Sequence, residues 1–174
     1  MARATHLVSR FFGSLWPGGP GRESSDWAEA QLLEGEVEVW RRMSGPDRRH
    51  AVGVAHRVDR ALGDEVTRPV LAAALLHDAG KCEAGVGTYG RVIATVSGAA
   101  IGRDPGIIQD WTRTRGFTRN VGLYLKHPEL GGDLLAMAGS DPLTEAWARE
   151  HHLSEGDWTI PVEVGRVLKA ADDD

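Results

Sequence analysis

Apolar side chains recur along this chain at steps of three and four, which predicts helices joined by short polar turns. One stretch breaks the amphipathic rule. Pro69-Val70-Leu71-Ala72-Ala73-Ala74 and the two leucines after it are apolar on every side. A helix that is apolar all round belongs in the middle of a core. This one runs into His77-Asp78, with Gly80 as the expected helix terminus and Lys81 directly after it. A carboxylate at the end of a buried helix needs a cationic partner. A metal ion would satisfy His77 and Asp78 together.

The flanking segments predict the following elements. Leu7, Val8, Phe11, Phe12, Leu15 and Trp16 give residues 5–16 one apolar helical face, with Arg3 and Arg10 beside it. Such a face suits either a membrane surface or the body of the domain, and docking on the domain is the favoured reading. Pro17-Gly18-Gly19-Pro20-Gly21 reads as a joint. Residues 1–24 are therefore expected to precede a single domain over 25–174. A helix from Ser25 or Asp26 to about Met43 would bury Ala30, Leu33, Val37 and Trp40. Ser44 with Asp47 three residues on reads as an N-cap. The helix it opens places His50, Val54 and Ala61 within about 40° of one another and His56 on the opposite side.

Beyond Lys81 the pattern becomes less decisive. Residues 91–96 suit helix or strand equally. Asp104-Pro105 opens a helix with Ile107, Ile108 and Trp111 on one side, and Arg113, Arg115 and Arg119 surround the turn after it. A further helix is expected over about 120–126, ended by His127-Pro128 because a residue before proline leaves the helical region. Pro128 begins the next, with Leu130, Leu134 and Leu135 inward. Asp141-Pro142 opens a helix that carries Leu143, Ala146, Trp147 and His151 on one face. The last helix, from about Pro161 to Asp173, sets Asp172 on the face of Leu168.

Composition narrows the classes. At 174 residues and a net charge of -5 the chain forms one sizeable core and does not suit duplex nucleic acid. The lone Cys82 excludes an intrachain disulfide and fits a reducing, cytoplasmic setting. No apolar run reaches the ~18 residues that span a bilayer, and the N-terminus lacks a signal-peptide cleavage pattern.

Five places hold a metal-type side chain at a helix end or inner face: His50, His77-Asp78, His127, His151-His152 and Asp172. They are too widely spaced to form a site locally, so only the fold can bring them together. Taken singly, each has a plainer role as a turn residue, a dipole partner or a solvated charge.

The set in this order resembles the signature of the HD superfamily of metal-dependent phosphohydrolases. The resemblance covers about residues 45–173 and rests on Arg49-His50-Ala51-Val52-Gly53-Val54-Ala55, Leu75 to Lys81, and Lys169-Ala170-Ala171-Asp172. His127-Pro128-Glu129-Leu130-Gly131 and His151-His152 are similar to the multi-metal subgroup that includes the HD-GYP cyclic-dinucleotide phosphodiesterases. That subgroup carries HHExxDGxGYP, of which this chain keeps His151, His152 and Pro161 but not the Glu, the Asp, either Gly or the Tyr.

The resemblance implies an all-α bundle with metal ligands at its centre. It implies two divalent ions per chain (Mn, Fe or Zn). His50, His77, Asp78 and Asp172 would hold one, and Asp78 as a bridge, His127, His151 and His152 the other. It also implies cleavage of a nucleotide or other small phosphoester by a metal-activated hydroxide, with Asp78 and Lys81 as catalytic residues. Lys81, Arg49 and Arg115 are the candidate phosphate contacts, with Arg91 and Arg119 as further cations. A di-iron oxygenase and a non-catalytic metal- or nucleotide-binding signalling module are the alternatives.

Overall fold

The computed structural model describes residues 18–173, the side chains of Thr88 and Tyr89 excepted. Among these residues the protein is all-α. Its helices are α1 (Arg22–Ala30), α2 (Glu34–Arg42), α3 (Gly45–Leu62), α4 (Arg68–Leu76), α5 (Thr88–Ala100), α6 (Pro105–Thr112), α7 (Gly116–Leu125), α8 (His127–Met137), α9 (Pro142–Glu150) and α10 (Val162–Asp173). The amphipathic stretch expected over 5–16 lies outside the described residues.

The all-apolar helix occupies the centre. Every residue of α4 from Val70 to Leu76 is buried, and α4 packs between α3 and α9. Leu75 and Leu76 are fully buried, worth about 1.5–3 kcal/mol each against exposure. α10 closes on α3, and α8 lies across α9 and the short 3₁₀ turn Ala79–Glu83. Thr144 ties the start of α9 to that of α4 by donating to the Pro69 carbonyl at 3.0 Å.

The expected caps form. The Ser44 hydroxyl accepts from the Asp47 N–H at 3.3 Å, and the carboxylates of Asp104 and Asp141 accept from Ile107 and Leu143, each at 2.9 Å. Each satisfies a backbone donor that a helix start leaves without an intrahelical partner.

The single helix expected to Met43 is instead two, α1 and α2. Leu33 is extended and donates its N–H to the Glu36 carboxylate at 2.7 Å. Glu36 is fully buried and pairs with Arg68 at 3.0 Å. Turning the chain at Leu33 brings that carboxylate inward and leaves Ala30 and Leu33 exposed, so α2 buries Val39 and Trp40. Gly35 permits the turn to sit close, since a Cβ there would lie 2.4 Å from the Ala138 carbonyl oxygen.

Residues 91–96 are helical. α5 presents the small residues Gly90, Ala94 and Gly98 at four-residue spacing, and α7 presents Phe117, Val121 and Leu125 at the same spacing. At the two ends, Cβ atoms on Gly90 and Gly98 would lie 3.4 Å from Phe117 and 2.7 Å from Leu125. The helix expected over 120–126 accordingly starts earlier, at Gly116. α6 packs on the same helix with Ile108 inward, while Ile107 is exposed. α5–α7 form a small three-helix unit joined to the rest through α7, the Ala79–Glu83 turn and α8.

Candidate metal centre

Each of the three most deeply placed histidines stands just beyond or at a helix end and makes the same backbone contact. His77 Nδ1 donates to Ala74 O at 2.9 Å, His127 Nδ1 to Tyr124 O at 2.7 Å and His151 Nδ1 to Ala148 O at 2.9 Å. The carbonyl three residues back is one that a helix end leaves unpaired. In the neutral ring this contact places the proton on Nδ1 and leaves Nε2 as a lone pair. All three Nε2 atoms are buried and have no hydrogen-bond partner. A buried imidazole lone pair left so is costly unless a ligand meets it.

Those lone pairs converge on one carboxylate. Asp78 Oδ1 lies 3.4 Å from His127 Nε2 and 3.7 Å from His151 Nε2. Asp78 Oδ2 lies 3.4 Å from His77 Nε2 and accepts from Lys81 Nζ. Asp172 enters from α10, with Oδ1 at 3.0 Å from His50 Nε2 and 3.6 Å from His77 Nε2. The result is two adjoining donor groups. His50, His77 and Asp78 have ligand atoms within 4.8 Å of one another, and so do His127, His151 and His152. Each group has the geometry that could hold a metal ion. Asp78 stands between them, one oxygen toward each.

The electrostatics follow from burial in a field of mixed charge. Burial pushes the Asp78 carboxyl up, but Lys81 and then His77 outweigh it and hold it well below the usual carboxylate range. Asp172 is likewise lowered against burial, chiefly by its hydrogen bond to His50. Burial lowers His127 and, more strongly, His151, with the charge of His77 adding to the latter. His152 is pushed down to about 4 by desolvation and by His127. It sits at the exposed rim, its ring 4.0 Å from that of His151 and 5.2 Å from that of His127. His77 moves the other way. Burial opposes its protonation, yet Asp78 and Asp172 raise it. His127, His151 and His152 are thus held as neutral imidazoles beside ionised carboxylates, the protonation states that metal binding requires, whereas His77 would have to give up a proton to an incoming ion.

The donor set, nitrogen and oxygen without thiolate, is one that could hold metal ions. The backbone carbonyls behind His77, His127 and His151 fix tautomer and ring orientation, as outer partners of metal-bound histidines do.

The remaining candidates are placed as follows. His56 is exposed on the far side of α3, stacked on Trp27 with ring centroids 4.0 Å apart. Lys81 bends back onto Asp78 and lies 5.9 Å over the Tyr124 ring. Asp78 holds its amine above the ordinary range against the effect of burial. Arg49, next to His50, donates to the Gly18 carbonyl. Arg115 and Arg119 are exposed on α7 and its N-cap, and no contact joins them to the cluster among the described residues. Arg91 is a structural clamp: its guanidinium grips Asp47 at 2.5 and 2.7 Å and ties α5 to the start of α3.

Gly80 corrects the sequence reading. It does not end the helix, which stops at Leu76. A Cβ on Gly80 would lie 2.0 Å from the His127 carbonyl oxygen and 2.5 Å from the Gly131 nitrogen. Its bare backbone lets the turn that carries Asp78 touch the turn that carries His127. Tyr124 was missed because its contribution to His127 is a backbone carbonyl, which no side-chain pattern announces.

Comparison with protein family models, with curated proteins and with solved structures finds no match to this chain.

Proposed function

We propose that this protein is a metal-dependent phosphohydrolase of the HD type, acting on a nucleotide or another small phosphoester at two divalent ions. The observation that carries the reading is the trio of buried, unpartnered Nε2 atoms around Asp78. Most buried side-chain nitrogens find a hydrogen-bond partner, so structural histidines of a core are usually paired on both nitrogens or face solvent. These are paired on one and aimed at a carboxylate that faces two donor groups. The order of ligands along the chain supports the same reading through its resemblance to the HD signature.

Bound ions would supply Lewis acidity toward phosphoryl oxygens and a water of lowered pKa. The protein's own contribution is positional. Asp78 fixes the spacing of the two donor groups. His50, His77 and Asp172 define one side and His127, His151 and His152 the other. Lys81 is the cation nearest the shared carboxylate and, released from Asp78, would meet a phosphate as a point charge. The exposed edge of His152 marks the open side of the cluster.

The test is metal analysis of anaerobically purified protein followed by a panel of linear nucleotides, simple phosphoesters and cyclic dinucleotides. Close to two ions per chain and turnover of a linear phosphoester with Mn or Fe are expected. Cyclic-di-GMP should be a poor substrate, since the Gly-Tyr element is missing. Turnover that requires dioxygen with Fe and fails with Mn would replace this reading by an oxygenase. Binding without turnover of any kind would replace it by a signalling module.

A further inference from the structure

A second concave surface lies on the outer side of the seam between α3 and α10, lined by residues distinct from the cluster's own ligands. It is a groove of about 630 Å³ lined by Arg57, Arg60 and Ala61 of α3 and by Arg166, Val167, Ala170 and Ala171 of α10. The sequence pattern places Ala61 on the inner face of α3, yet it is exposed. With Val167, Ala170 and Ala171 it forms an apolar floor.

The rim is cationic in a particular way. Arg57 spends its Nε on the Ala171 carbonyl at 2.8 Å, and Arg60 spends its Nε on the His56 carbonyl at 3.3 Å. Each guanidinium is thus oriented by the backbone, with both terminal nitrogens left over as donors. Neither has a carboxylate partner among the described residues. Arg166 differs, because Glu155 takes it in a two-point pair at 2.7 and 2.9 Å. Arg57 and Arg60 stand three residues apart on one helix, so they face the same space. Two oriented, unpaired guanidiniums above an apolar floor complement an anion attached to an apolar body.

We propose that the α3–α10 groove binds a small organophosphate, its phosphate held by Arg57 and Arg60 and its apolar part resting on Ala61, Val167 and Ala170. The site is separate from the metal cluster but adjoins it. The carbonyl that anchors Arg57 belongs to Ala171, the residue before Asp172.

The experiment uses the full chain stripped of metal with a chelator, and phenyl phosphate as the probe, followed by ligand-observed NMR. Inorganic phosphate and phenol serve as the two half-probes. Phenyl phosphate should bind more tightly than either half. Arg60→Gln should weaken it by about tenfold, the size of a lost charge-assisted hydrogen bond. Arg57→Gln should do the same but also loosens Ala171, so Arg60→Gln and the groove-filling Ala170→Leu carry the test. Lys81→Gln, at the metal cluster, should leave phenyl phosphate binding in this groove unchanged. Equal affinity for phenyl phosphate and inorganic phosphate would mean an adventitious ion only and would overturn the proposal. So would loss of binding in Lys81→Gln with retention in Arg60→Gln, which would assign the phosphate to the metal cluster instead. These outcomes concern metal-free protein and are independent of whether the cluster is hydrolytic.

Discussion

Asp78 Oδ1 and His127 Nε2 stand 3.4 Å apart, although a three-helix unit separates the two residues along the chain. The contact exists because Gly80 lets the Ala79–Glu83 turn lie directly on the start of α8. Asp78 is thereby shared between a donor group formed by α3 and the end of α4 and another formed by α8 and the end of α9.

Asp78→Asn keeps the size of the side chain and removes its charge. Metal content should fall below half of the wild-type value and phosphoester turnover to background, with the helical circular dichroism spectrum retained. His56→Ala is the matched control on the outer face. It loses a stacking contact with Trp27, at most about 1 kcal/mol, and should keep full metal content. Wild-type turnover and metal content in Asp78→Asn would end the two-metal reading.

His127→Ala removes one ligand of the second group and none of the first. Stoichiometry measured by elemental analysis should drop from about two ions per chain to about one. An unchanged stoichiometry of one in both proteins would show that the second group does not bind.

Gly80→Ala tests the packing that unites the centre. The added methyl would meet backbone atoms of His127 and Gly131 at 2.0 and 2.5 Å, and backbone cannot rotate away as a side chain can. The loss should reach about 3 kcal/mol, the upper end of overpacking effects, read in urea unfolding. Metal binding should weaken in parallel. Gly156→Ala, with nothing within 4 Å of the new Cβ, should be within about 0.5 kcal/mol of wild type.

Lys81→Gln removes the ammonium that faces Asp78 in a largely buried pair. Without metal, the carboxylate keeps only His77 and its neighbours as compensation, and stability should fall by about 2 kcal/mol or a Tm decrease of roughly 4–8 °C. Addition of Mn should recover more stability in the variant than in the wild type, because the ion no longer competes with the lysine. Equal recovery in both, read by thermal denaturation with and without Mn, would mean that Lys81 does not compete for Asp78.

The sequence by itself determined the helical class, the central helix and the identity of the inward histidines. These are local matters. An apolar run without a polar face has nowhere to go but the core, and 3.6 residues per turn set His56 about 120° around α3 from His50, away from the cluster. The caps at Ser44, Asp104 and Asp141 were legible for the same reason, since a helix start and its acceptor are neighbours in the chain. Tertiary structure decided what depends on approach between distant segments. The break at Leu33 follows from burying Glu36 against Arg68. The helical state of residues 91–96 follows from the small-residue face of α5 meeting α7. Arg91 became a clamp because Asp47 lay opposite it. Above all, the pairing of Asp78 with His127 rests on the missing Cβ of Gly80. A sequence shows that glycine, but not which backbone will occupy the space.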